Sequence, residues 1–346
     1  MSVIGAVLIA GVLWLGLSTA KFASAPPTLK IGLIAPFEGL YRSTGYDVLF
    51  AVKLALQERN LEGVNGYRFE LVALNDFNEP ADAYRQAQAL VADPDIVGVI
   101  GHLSAATTAA ALPVYQEAQL ATVIPWSADD SVFAGDRPGV VSVAATSEQT
   151  AARLDAASRE LGFQPVAIRA TTELTRPAAT GQPLVLDTDA VSAGNIAVSL
   201  REAALEVPLF GRVDVGDRQL PQVAGTAADG LIFVSPGPAA ADIAGHDALI
   251  AAYESLAGLP PGPRALLAYD ATNVLLDSVE KAMIIDDQRW FNDQPGRADV
   301  RAAIASVRRS GVTGEIIFDN RGRRLTAPIW VYQIDEANYP GKLIAP

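Results

Sequence analysis

From Leu29 onward, short apolar runs alternate with stretches of helical periodicity, and no other feature restricts the fold as much. A strand apolar on both faces has to be covered on both faces. Helices inserted between successive strands supply that cover, so the pattern predicts a parallel sheet with crossover helices. Lys30–Ala35 reads as the first strand. A helix near Tyr46–Asn60 follows, with Val48, Val52, Ala55 and Leu56 on one face. Phe69–Leu74, Ile96–Ile100, Ala121–Pro125 and Val140–Ala144 read as further strands. Asn78 is placed to cap a second helix with Pro80 in its first turn, and Ser104 to cap a third that runs to about Ala118.

After Gly162 the spacing changes. Val166–Ile168, Leu184–Leu186 and Leu231–Val234 read as strands, and Ala193–Glu206, Ala265–Met283 and Asp299–Val307 as helices. The stretch between the first two strands, rich in Thr, Pro, Ala and Gly, reads as a loop. Glu315–Phe318, the turn Asp319–Gly322 and Ile329–Ile334 predict a closing hairpin.

Composition removes several classes of function. The chain has 346 residues, half of them hydrophobic, enough for two lobes with separate cores. Its net charge of −13 argues against a nucleic-acid partner, which demands clustered Lys and Arg. It has no cysteine, so disulfides, thiolate metal sites, a Cys nucleophile and a lipid-modified Cys are excluded. The two histidines, His102 and His246, have no metal-ligand spacing, and no metal or other cofactor is expected. Neither a nucleophile elbow nor a phosphate-binding loop is present, and the pair Asp129-Asp130 sits on a turn; no catalytic residue is assigned.

Residues 3–20 carry no charge. Their length lies between a signal-peptide core of ~7–15 residues and a membrane span of ~17 or more. An apolar N-terminal helix is therefore expected, either a cleaved export signal or a retained membrane anchor. Both put the rest of the chain outside the cytoplasm, in the periplasm or on the outer face of the membrane.

Four ordered segments carry a resemblance. They are Leu29–Pro36 followed by Gly39 and Gly45; Leu74–Ala81; Val99–Ser104 leading through Tyr115-Gln116-Glu117 to Val123–Ala128; and Gly314–Gly322. Together with Tyr269-Asp270-Ala271 they resemble the leucine/isoleucine/valine-binding proteins, which deliver solutes to ABC transporters. The resemblance implies a two-lobed α/β fold of the type I periplasmic-binding kind, each lobe a mainly parallel sheet flanked by helices. It places lobe one at about 29–146 and 247–310, and lobe two at 147–246 and 311–346, with ligand in the cleft. Only 46 residues run from Val166 to Gly211, where the family has an additional strand and helices, so lobe two is expected to be shortened.

A free amino acid needs a donor-rich pole for its carboxylate and an acid for its ammonium. A helix N-terminus supplies the first, and the Gly101–Thr108 turn has that form, with Ser104, Thr107 and Thr108 as hydroxyl donors or as ordinary capping residues. Trp126 and Ser127 form the second wall. The resemblance puts Val213 where the family carries its acid, so Asp214 next to it takes that role or remains a solvated loop charge, with Asp217 nearby. Ala105, Trp126 and Ala128 stand where the family has a serine, a small residue and a threonine. Two functions stand on this reading. One is a non-catalytic extracytoplasmic solute-binding protein for an amino acid or similar small polar metabolite, working with an ABC permease. The other is a degenerate scaffold, anchored by residues 3–20, that serves as an accessory subunit of a membrane complex.

Overall fold

The structure, a computed structural model, describes residues 26–135, 137–163, 169–170, 183–285 and 295–345. The apolar segment 3–20, the expected strand 166–168 and most of the expected loop after it lie outside these residues. Among the described residues no helix is long and apolar enough to cross a membrane.

The first sheet has five strands, all parallel, in the order β2-β1-β3-β4-β5. They are β1 (Thr28–Ala35), β2 (Arg68–Asn75), β3 (Ile96–Ile100), β4 (Ala121–Ile124) and β5 (Val140–Ser142). β3 and β4 are buried at every position, as a parallel strand covered on both faces should be. Helices α1 (Arg42–Glu62), α2 (Pro80–Val91) and α3 (Ala105–Glu117) make the crossovers. α2 and α3 pack together on one face, where Ala87, Leu90, Ala111 and Tyr115 close a core with Ile34 and Val99.

The second sheet has six strands in the order β13-β12-β9-β8-β7-β6. β6 (Arg169–Ala170), β7 (Leu184–Leu186), β8 (Leu209–Gly211) and β9 (Ile232–Ser235) are parallel. β12 (Trp330–Asp335) returns antiparallel to β9, and β13 (Asn338–Ala345) pairs with β12. Its helices are α4 (Ser147–Glu160), which packs on β8 and β9, α5 (Ala190–Glu202) and the short α6 (Gln219–Ala224). Only residues 171–183 separate β6 from β7, close to the ~12 that a parallel crossover needs. The chain then returns to the first sheet. α7 (Asp247–Ala257) packs on α1, and α8 (Pro263–Ile285) on α1, β3 and β4, while α9 (Arg297–Ile304) covers β3 to β5.

Two local expectations are corrected. The hairpin does not join 315–318 to 329–334. β11 (Gly314–Ile317) pairs instead with β10 (Arg308–Gly311) just before it, and residues 330–335 leave for the second sheet. β10 escapes notice because Arg-Arg-Ser-Gly has no apolar alternation. The expected lobe boundary at 310/311 falls inside this hairpin. Asn78 does not cap α2 either: it sits at φ +62° and Glu79 holds the cap position with Pro80 at N1.

Arg324 pins the hairpin to the first sheet. Almost fully buried, its guanidinium donates to the carbonyls of Val143, Thr313 and Glu315 and to the Thr313 hydroxyl. Asp270 on α8 accepts from the Val312 and Thr313 N–H groups and the Thr313 hydroxyl. Arg324→Met would orphan several of these buried oxygens, each costing roughly 1–3 kcal/mol, and would remove a buried cation whose charge acts on Asp270. The variant should lose about 3 kcal/mol or more in urea denaturation, whereas a wild-type midpoint would show that the pin is dispensable.

Candidate functional site

The parallel strands of both sheets aim their carboxyl ends at one cleft, the position where open α/β sheets hold ligands. A cavity of about 300 Å³ lies there. Its wall includes Pro36 after β1, Leu103 and Ser104 after β3, Asp187 to Ala190 after β7, and Arg212, Asp214 and Asp217 after β8.

The turn after β3 is held from below. Gly101 adopts φ +135°, and a Cβ there would stand 2.5 Å from the Ile34 carbonyl oxygen, so only glycine fits. His102 is buried with Nδ1 2.7 Å from Asp76 Oδ2 and Nε2 3.0 Å from the Tyr115 hydroxyl. In the tautomer that satisfies all three, the ring N–H donates to the carboxylate and the tyrosine donates to the ring. This floor sets Ser104 at the N-cap of α3, where its Oγ accepts from the Thr107 N–H at 3.3 Å. The N–H groups of Ala105 and Ala106, earlier in the same turn, have no intrahelical acceptor and favour an anion.

The six residues singled out from sequence do not share one role. Ser104 and Asp214 line the cavity from opposite sheets. Thr107 and Thr108 are buried, and both hydroxyls bond to the Ser104 carbonyl, at 3.1 and 2.7 Å, so they stabilise the turn from within. Trp126 is buried beneath the cavity wall, with its indole N–H donating to Asp214 at 3.3 Å. Ser127 is buried beside it, and its hydroxyl has no partner among the described residues.

Sequence reasoning missed Arg264, Arg212 and Asp187. Arg264, in the first turn of α8, is 8% exposed. Its guanidinium lies 4.1 Å from the Trp126 ring centre, donates to Asp217 at 2.8 Å and stands 3.7 Å from Asp214. Arg212 pairs with Asp187 at 2.9 Å. Asp189 is absorbed in capping α5, accepting from the Val191 and Ser192 N–H groups. Among these acids Asp214 is the one whose side chain stays open to the cavity, at 61% exposed against 12% for Asp217. Desolvation where the two sheets face each other pushes the Asp214 carboxyl above its ordinary range, against the pull of Arg264 and the Trp126 N–H.

The match to known proteins follows the same architecture. Residues 28–173 and 184–339 fit the family model described as periplasmic binding protein. This chain belongs to the periplasmic binding protein family. A leucine-, isoleucine-, valine-, threonine- and alanine-binding protein of Pseudomonas aeruginosa is 22% identical over 356 aligned positions, covering 91% of this chain and 92% of that protein. An amino acid binding protein of the same organism is 31% identical over 119 residues, which cover 34% of this chain and 31% of that one. The crystal structure of a leucine-binding protein from Thermotoga maritima superposes with a TM-score of 0.77 at 20% identity, over 90% of this chain and 96% of that one. A periplasmic binding protein has two lobes around a ligand cleft, the arrangement built here by the two sheets.

The raised Asp214 carboxyl has a consequence for stability. A carboxyl whose pKa rises on folding costs stability once ionised, and the cost vanishes below its unfolded value. Asp214→Asn should therefore melt slightly above wild type at about neutral pH, by less than about 1 kcal/mol given the exposure of the group. The gap should narrow as pH falls through the raised value and close below the ordinary value of 3.8. Calorimetry of both proteins across that range tests it; an advantage that grows toward acid pH would contradict the assignment.

Proposed function

We propose that this protein is an extracytoplasmic solute-binding protein that presents an amino acid or similar small polar metabolite to an ABC permease. Residues 3–20 export it and either leave it or tether it to the membrane. One observation carries the reading: Ser104 at a helix N-terminus and the open carboxylate of Asp214 face the same cavity from the two lobes. The first favours a carboxylate and the second an ammonium, so a zwitterion spanning the cleft would satisfy both and draw the lobes together. The names of the curated relatives support the same class of ligand. The lobes run about 29–146 plus 247–310, and 147–246 plus 311–346, with the β10–β11 hairpin at the junction.

A second reading draws on the same residues. Trp126 and Arg264, from the first lobe, already engage Asp214 of the second. A contact that joins the lobes in this way suits a scaffold that holds one shape as an accessory subunit of a membrane complex, with the acid structural rather than ligand-binding.

Thermal unfolding against a panel of common amino acids and small carboxylates separates the two. A ligand at 100 times its Kd should stabilise the folded state by ~2.7 kcal/mol. Asp214→Ala should weaken that ligand at least ~10-fold by leaving its ammonium unpaired. A shift confined to one chemical class and lost in the variant supports the binding reading. A well-folded protein that shifts with nothing, and that purifies from membranes within a stable complex, supports the scaffold.

A further inference from the structure

A second and larger cavity, about 470 Å³, lies beside the cleft, on the far side of a strip formed by Thr44, Asp217, Gln219 and Arg264. We propose that this chamber is a binding site for a small carboxylate with an aromatic or branched apolar body, distinct from the cleft.

The walls point to the apolar body. Tyr46 and Phe50 of α1, Tyr253 of α7 and Tyr339 of β13 surround the space. Leu40 and Leu259 line it with 52% and 41% of their surface exposed, apolar area that a bound molecule would cover.

The charges select the sign of the ligand. Both carboxylates in the wall are engaged. Asp47 accepts from the Tyr253 hydroxyl at 2.7 Å and from the Gly262 N–H at 3.3 Å, both at Oδ1, and feels the Arg218 charge. Asp217 accepts from Arg264 at 2.8 Å, the Gln219 N–H at 3.0 Å and the Thr44 hydroxyl at 3.1 Å. The two remaining cations are held more loosely. Arg218 donates to the Pro260 carbonyl at 2.5 Å, and Arg42 lies 5.6 Å from the Tyr46 ring centre. Among the described residues neither has a carboxylate within salt-bridge distance. A guanidinium with unpaired N–H groups at the edge of an apolar space is matched by a carboxylate, which takes two parallel hydrogen bonds. An ammonium of the same shape would meet three guanidinium groups, Arg42, Arg218 and Arg264, against two carboxylates, one of them already held by Arg264.

The chamber also straddles the lobes. α1 and α7 belong to the first, and Asp217, Arg218, Gln219 and Tyr339 to the second. Gln219 already donates to the Leu40 carbonyl at 2.6 Å and Thr44 to Asp217, so the lobes meet along its floor. An occupant would contact both and favour their present arrangement.

Calorimetric titration of the full chain with phenylacetate, and with benzylamine as the charge-reversed control, tests the site. Phenylacetate should bind and benzylamine should be at least about tenfold weaker. Arg218→Gln should weaken phenylacetate about tenfold or more by removing its charge partner. Ala257→Trp, which leaves every charge in place and fills the space, should abolish binding. Neither variant touches the cleft, so neither should change the response to an amino acid that binds there. The proposal falls if phenylacetate fails to bind wild type at concentrations on the order of 10 mM, if benzylamine binds as well, or if both variants bind like wild type. It also falls if binding is lost only in Asp214→Asn, which would place phenylacetate in the cleft and leave the cleft reading standing.

Discussion

The cleft depends on one buried cation. Arg264 sits in the first turn of α8, a helix of the first lobe, and its partners are a tryptophan at the end of β4 and two aspartates beyond β8. A guanidinium this deep is stable only when its charge and donors are matched. The Trp126 face, Asp217 and the Gly216 carbonyl supply most of the match, with Asp214 farther off at 3.7 Å, while the buried Nε–H has no partner among the described residues. The bulky Trp126 is the platform on which the arginine lies. The same pairing divides the space between the lobes into the smaller cavity and the larger one beside it.

Much of the fold was legible because burial leaves a periodic trace. The crossover helices and the strands of the first sheet appear wherever apolar residues recur at the spacing of an element covered on both faces. β10 left no trace, because a short ribbon at the lobe junction buries little and its sequence is polar. The run 329–334 did leave one, but an apolar strand does not name its partner. Register and partner come from long-range packing, and here β9 won over the nearer β11.

The site was legible in outline and not in detail. Sequence placed Ser104 at a helix start and offered Asp214 and Asp217 as acids. Only the geometry separates the acids, since Asp217 is enclosed by Arg264, Thr44 and Gln219 while Asp214 remains open. Thr107 and Thr108 have the chemistry of ligand donors, yet both hydroxyls turn inward to the Ser104 carbonyl, a bond set by side-chain rotation that no spacing reveals. Arg264 gave no signal at all, because an arginine in the first turn of a helix usually faces water and its burial depends on elements far away in the chain.

The interleaving of the two sheets with the chain order reaches beyond geometry. The first sheet waits for α8 and α9, made after most of the second lobe. The second waits for β12, which sits between β9 and the terminal strand β13. A ribosome that stalled partway, or a protease that cut between the lobes, would release pieces whose cores are both unfinished. Neither half of the chain by itself therefore carries all the elements of either core.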